Sequence, residues 1–172
     1  MATLVLPHDP SWMQNFRDEA RVLAAAVAPA DIGLHHIGST AVPGILAKPI
    51  IDMLGETSSL GAFDRSSRRL EAIGYESMGA FGIEGRRYFR KSAADGARTH
   101  HLHVYEIGSP QIARHLAFRD YLLAFPDRAA AYSELKARIL SGGSATYQEA
   151  KAAFVAALDA EAAAWRKSTG RP

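Results

Sequence analysis

Two short runs rich in Ile and Leu, residues 32–37 (IGLHHI) and 49–54 (PIIDML), flank a single loop, and this pairing governs what the chain can become. Runs of that length bounded by Pro and Gly read as strands. Two strands alone bury too little surface to fold, so further strands and covering helices must follow. The loop opens with Gly38, Ser39 and Thr40. Their small side chains, backbone N–H groups and two hydroxyls suit either a phosphate cradle or an ordinary turn. Lys48 places a cation near the far end, and Asp52, on the second strand, is a candidate metal ligand. Pro43 and Gly44 discourage regular structure, leaving room for one helical turn at residues 45–47.

The rest of the chain supplies the missing elements. A β-prone piece at 3–6 precedes Asp9-Pro10, which reads as an N-cap followed by proline at the first helical position. Trp12, Phe16, Leu23 and Val27 share one stripe of a helix that ends before Pro29. Leu60, Phe63, Leu70 and Ile73 suit a second helix over 60–73, stopped by Gly74. Residues 75–78, 86–91 and 98–105 read as strands of an antiparallel meander. The last third is helical. Ser109-Pro110 repeats the cap-and-proline signature, Pro126 restarts a helix, and Thr146 with Glu149 forms a capping box after a stop at Gly142-Gly143. Tyr147, Lys151, Phe154, Leu158 and Trp165 share a face of the final helix, where the Lys151 stem lies on apolar surface. The expected fold is α/β in the α+β sense: a single domain over 1–166, a mixed sheet flanked by helices, and a frayed tail at 167–172.

Composition narrows the function. With 172 residues and 48% hydrophobic content the chain can bury one real core. A net charge of +2 without a run of five or six like charges does not call for nucleic acid, and a phosphate-bearing small molecule fits it equally well. No cysteine is present, which excludes disulfides, thiolate zinc sites and thiolate nucleophiles. The amino terminus lacks the basic region of a signal peptide, and no apolar run reaches the length of a membrane span. A soluble cytoplasmic protein is expected.

Residues 98–105 (RTHHLHVY) are the second informative stretch. On a strand, Thr99, His101, His103 and Tyr105 share one face, and His100, Leu102 and Val104 share the other. Two imidazoles on one face can share a metal, bind phosphate, or serve as base and acid. Residues 85–91 (GRRYFRK) supply four cations, and alternation separates Arg86, Tyr88 and Arg90 from Arg87, Phe89 and Lys91. Arginine opposite phosphate is the sharper use of such a run, and solvated charge the plainer one. Arg119, Asp120 and Lys136 lie on helices, where surface or salt-bridge roles are expected.

Taken together, IGSTAVPGILAKPIID, GRRYFRK, THHLHV, LAFRDYLLAFPDRAAAYSELK and YQEAKAAFV resemble the GrpB family, in order, from Asp9 and Trp12 to about Val155. Its members are predicted nucleotidyltransferases of the DNA polymerase β superfamily. The resemblance implies a mixed sheet flanked by helices, with the Gly-Ser loop and Asp52 at one end. It also implies a nucleoside triphosphate as substrate and a divalent metal as cofactor. Related domains occur attached to dephospho-CoA kinase, where an accessory role has been suggested. The superfamily motif is Gly-Ser, a spacer of about ten residues, then a strand with Asp-x-Asp or Asp-x-Glu. Gly38, Ser39 and Asp52 match it, and Leu54 stands where the second carboxylate belongs.

That departure bears on mechanism, because the paired carboxylates hold the two Mg²⁺ ions that activate the attacking oxygen and stabilise the leaving pyrophosphate. Glu56 shares the strand parity of Asp52, roughly 13 Å along an extended strand. His101 or His103, on a neighbouring strand, can take the third carboxylate's place, and imidazole suits zinc, nickel or manganese better than magnesium. Three functions follow. One is nucleotidyl transfer: Gly38, Ser39, Thr40, Lys48 and Arg87 hold the phosphates, while Asp52, His101 and His103 bind a metal and prepare the acceptor. Another is a non-catalytic nucleotide- or phosphate-binding accessory module, which Leu54 favours. The last is a histidine-dependent phosphate-ester hydrolase, since His101, His103 and Tyr105 resemble the alternating histidines of histidine-triad enzymes.

Overall fold

Among the residues that the computed structural model describes, 5–142 and 146–170, five strands form one mixed sheet. In chain order the elements are α1 (Ser11–Val27), β1 (Gly33–Ile37), β2 (Ile51–Thr57), α2 (Leu60–Asp64), α3 (Ser67–Ala72) and β3 (Tyr75–Ser77). Then come β4 (Arg87–Ser92), β5 (Arg98–Glu106), α4 (Pro110–Ala124), α5 (Pro126–Gly142) and α6 (Thr146–Thr169). The strands lie in the order β1-β2-β5-β4-β3, with β2 parallel to β5 and the other neighbours antiparallel. This is the mixed α+β sheet that the strand pattern implied, with β3, β4 and β5 as its antiparallel meander.

Period-2 alternation sends each strand's side chains to two different layers. Ile51, Met53, Phe89, Leu102 and Val104 face α1, α2 and α3, packing with Trp12, Leu23, Val27, Phe63 and Leu70. On the opposite side Ile37, Leu54 and Tyr105 meet Ile112 of α4. The loop after β1 is clamped by the C-terminal helices, where Val42 and Ile45 pack with Leu122, Ala129, Tyr132 and Leu158. No helix among the described residues is long and apolar enough to cross a membrane.

Capping follows the sequence signals. The Asp9 carboxylate accepts the Ser11 N–H at 2.8 Å, and the Ser109 hydroxyl accepts from Gln111 at the start of α4. Helix 60–73, however, is two pieces. α1 ends at Val27, leaving carbonyls of its last turn without helical partners, and the chain bends at Ser66, which reaches them. Fully buried Ser66 donates to the Val27 carbonyl at 3.0 Å, and Arg69 donates to Ala26 and Val27. The single turn of the long loop falls at Ser39–Ala41 rather than 45–47, because Ala47 pairs with Leu6 in an isolated bridge. Residues 167–169 continue α6 rather than fraying, with Arg166 and Lys167 complementing the negative end of the helix. The Gly142-Gly143 stop, the side chains of the Thr146 capping box, that of Tyr147, and residues 3–4 of the first β-prone piece lie outside the described residues.

Candidate functional site

The parallel register of β2 and β5 sets Asp52 directly opposite His101, and their side chains meet with Oδ1 to Nδ1 at 3.0 Å. The carboxylate thereby fixes which ring nitrogen of His101 faces it and leaves the other turned away. On its second side Asp52 backs onto Gly38, whose φ of +74° is a conformation that favours glycine. Ser39 follows at the first position of the short 3-10 turn.

His103 lies two residues further along β5, stacked on Tyr88 with ring centroids 4.9 Å apart. Burial drives its pKa down to about 4, so it is neutral near pH 7. Arg86, itself buried, reaches within 3.5 Å of its Nδ1. Across from it stands His115 of α4, also held to about 4 by burial. Arg114 and Asp159 are paired at 2.9 Å between α4 and α6 beside them. With Gly38 and Asp52 these groups line one cavity of about 270 Å³ between the sheet and the C-terminal helices.

The cation bonded to the loop is Lys136, with Lys48 close enough to act on it electrostatically. Lys136, half-buried on α5, donates to the Ser39 hydroxyl and to the Leu46 carbonyl at 3.2 Å, and its ammonium lies 4.2 Å from the Tyr132 ring centroid. Burial first, and then repulsion from Lys151 and Lys48, lowers its pKa to about 8. Lys48 is exposed and Lys151 half-buried, so three ammonium groups share this end of the molecule.

Other sequence candidates go elsewhere. Thr40 is buried, its hydroxyl bonded to His36 at 2.9 Å, and His36 in turn stacks on Phe16 of α1. That hydroxyl supports the loop from behind and does not face the cavity. Arg87 points to the α1–α3 side of the sheet, where it grips Asp64 through two hydrogen bonds of 2.7 and 2.8 Å. Strand parity separates it from Arg86, which does reach the site face. Arg119 forms the expected salt bridge, with Asp120, and also donates to the His36 carbonyl. Lys136, His115, Arg114 and Asp159 were not legible as site residues, because helical periodicity marks exposure and not which strand ends a helix will cover. The one available signal was the i, i+4 pair Tyr132–Lys136, an aromatic floor beneath a lysine.

The residues present do not fit the two-metal arrangement of the superfamily. Leu54 is fully buried against Ile37, Tyr105 and Ile112, and the Glu56 carboxylate, further along β2, is bonded to His35 at 2.9 Å. Nor do Asp52, His101 and His103 form a ligand trio. The two imidazole rings stand perpendicular with centroids 6.5 Å apart, one turned to Asp52 and the other to Arg86. Among the described residues no group of three or more His, Asp or Glu side chains converges as a metal ion requires.

Comparison with known proteins places this geometry in a family. The family model described as GrpB protein matches residues 3–161. The UPF0157 protein YqkA of Bacillus subtilis is 39% identical over 166 residues, covering 95% of this chain and 48% of its own. The crystal structure of GrpB from Enterococcus faecalis is 39% identical, with a TM-score of 0.84 over 92% of this chain and 96% of that one. The Cid1 poly(U) polymerase with Mg 3′-dATP bound superposes with a TM-score of 0.56 at 15% identity, over 78% of this chain and 43% of that one, which shows a shared fold. The chain spans about half the length of the relatives from Bacillus subtilis and Pseudomonas aeruginosa, and 46% of the dephospho-CoA kinase of Mycobacterium tuberculosis, to which it is 32% identical. The chain belongs to the GrpB family and carries that family's nucleotidyltransferase-like fold.

Proposed function

We propose that the cleft binds a nucleotide or another phosphate-bearing small molecule, and that it does so as a binding module rather than as a two-metal nucleotidyltransferase. One observation carries this reading: the Ser39 hydroxyl and the Lys136 ammonium meet at the Gly38 turn, with Lys48 and Lys151 near enough to repel Lys136. Three mutually repelling cations, with Asp52 as the attracting carboxylate, form a site that an anion relieves. A phosphate chain brings the needed charge, and the Ser39 hydroxyl can accept from Lys136 while donating to it. Leu54 in the core, in place of a second carboxylate, argues against metal-assisted transfer. A similar stretch within proteins named dephospho-CoA kinase is consistent with an accessory role beside nucleotide chemistry.

A second reading rests on the 3.0 Å Asp52–His101 contact. With Nδ1 held by the carboxylate, the far nitrogen of His101 would take the proton of an acceptor hydroxyl while its oxygen attacks the α-phosphorus and pyrophosphate leaves. Calorimetric titration with the four ribonucleoside triphosphates, crossed with Mg²⁺, Mn²⁺ and Zn²⁺ and followed by a pyrophosphate-release assay, separates the two. The binding module predicts saturable binding with no pyrophosphate under any ion. Pyrophosphate release that disappears in His101→Ala would replace it with the transfer reading, and no binding of any triphosphate would end both.

A further inference from the structure

Asp159 carries an unusual burden. One of its oxygens, Oδ2, accepts from Arg114, while Oδ1 is buried with no hydrogen-bond partner among the described residues. A buried acceptor left unpaired costs roughly 1–3 kcal/mol, and because Asp159 itself stands on the cavity wall, a small rotation of its carboxylate would bring that atom to a donor from outside. The residue lines the same cavity as His103 and His115. Both imidazoles are kept neutral by burial, so His115 can offer one N–H and one lone pair, while His103, its Nδ1 facing Arg86, offers the N–H of its other nitrogen.

The charge of the wall selects the kind of donor. Arg114 already balances Asp159, so an incoming ammonium would meet an arginine rather than a free carboxylate. A neutral hydroxyl fits better. The size agrees: about 270 Å³ falls just below the roughly 300–1,000 Å³ of pockets that hold whole drug-sized ligands, so the cavity takes a part of a nucleotide. Its location agrees as well. Gly38 lines it, and Tyr132, whose ring lies under the Lys136 ammonium, forms another wall. The loop that would hold phosphate and the cavity therefore share a boundary, as a sugar joined directly to a phosphate requires.

We infer that this cavity holds the sugar of the nucleotide, with Asp159 Oδ1 and the imidazoles of His115 and His103 receiving its hydroxyls; this rests on the nucleotide-binding reading above. The test is calorimetry on the whole chain with each ribonucleoside triphosphate, its 2′,3′-dideoxy counterpart, and pyrophosphate. The native protein should bind the ribonucleotide about tenfold more tightly than the dideoxynucleotide. Asp159→Asn should abolish that difference and leave pyrophosphate affinity within twofold, because its amide must turn oxygen to Arg114 and present N–H groups to the cavity. Circular dichroism and melting temperature establish that the variant is folded. Equal affinity for ribonucleotide and dideoxynucleotide in the native protein, with pyrophosphate still bound, would overturn the inference alone. Discrimination that follows the base and ignores the hydroxyls would overturn it too. Failure to bind pyrophosphate or any nucleotide would remove the functional reading beneath it.

Discussion

The Asp52 carboxylate occupies the space that a side chain at Gly38 would need: a Cβ there would sit 2.7 Å from Asp52 Oδ2 and 3.1 Å from its Cβ. The Gly-Ser loop and β2 are thus held at contact distance by the absence of one methyl group. Gly38→Ala should lower stability by about 2 kcal/mol or more, from the strained positive φ and the displaced carboxylate. In an Asp52→Ala background the penalty should shrink, because the oxygen is gone, but not vanish, because φ remains +74°. Urea denaturation of both singles and the double gives the coupling. Additive penalties would mean that the two residues do not confine one another.

Much of this relationship could be read beforehand, since a glycine before Ser-Thr and an acid on the next strand are local signals. Strand parity also placed His101 and His103 together on one face of β5, and the parallel register with β2 makes that the face of Asp52. What could not be read was how α4, α5 and α6 lie over that face. Lys136, His115 and Asp159 reach the cavity only because the chain returns to it long after the loop, and no periodicity encodes that return. The same blindness made Thr40 look like a phosphate ligand: its buried bond to His36 depends on α1 lying behind the loop. Arg87 went astray for a simpler reason, its odd parity beside Arg86.

Lys136 should be required for anion binding yet not for stability. Removing its buried ammonium in Lys136→Met should leave stability at pH 7 unchanged or slightly raised and weaken pyrophosphate binding about tenfold or more. The native protein's affinity should fall as pH rises through about 8, where the folded-state lysine loses its proton. Stability moves the other way. Between about 8 and the ordinary 10.5 the unfolded chain binds more protons, so this lysine's contribution to stability rises with pH across that window. Thermal melts and calorimetry from pH 7 to 10 read both trends.

Acid should weaken the fold from the site outward. His36, His103 and His115 are each held to about 4 by burial, against an ordinary 6.5. Below 6.5 the unfolded chain takes up protons that the folded one refuses, so stability falls with falling pH until about 4. Each ring contributes up to about 1.4 kcal/mol per pH unit in that window. His115→Gln should flatten the slope of melting temperature against pH between 6.5 and 4. An unchanged slope would mean that His115 titrates normally in the folded chain.

Arg87 should matter to the fold and not to the ligand. Its two bonds to Asp64 tie β4 to α2 on the face away from the cavity. Arg87→Ala and Asp64→Ala should each cost about 0.5–1 kcal/mol, with the double variant little worse than either, as a half-exposed ion pair behaves. Pyrophosphate affinity should match the native protein in all three. A loss confined to Arg87→Ala would instead return the arginine to the phosphate site.

Leu54 offers the sharpest test of whether the cleft is a depleted catalytic centre or a different kind of site. Leu54→Asp restores the Asp-x-Asp spacing, so if the leucine merely stands in a vacant ligand position, the variant should fold and gain stability from Mn²⁺. The packing says otherwise. Leu54 is fully buried among Ile37, Tyr105 and Ile112, and a carboxylate there would lose the apolar contacts and be taken out of water. The expected cost is about 3–5 kcal/mol, enough to consume much of a small domain's stability, with no recovery when Mn²⁺ is added. Urea denaturation with and without the ion reads the result. A stable Leu54→Asp protein whose midpoint rises with Mn²⁺ would show that the wall of the cleft can still be rebuilt around a metal, and the binding-module reading would then yield to an enzyme that has lost one ligand.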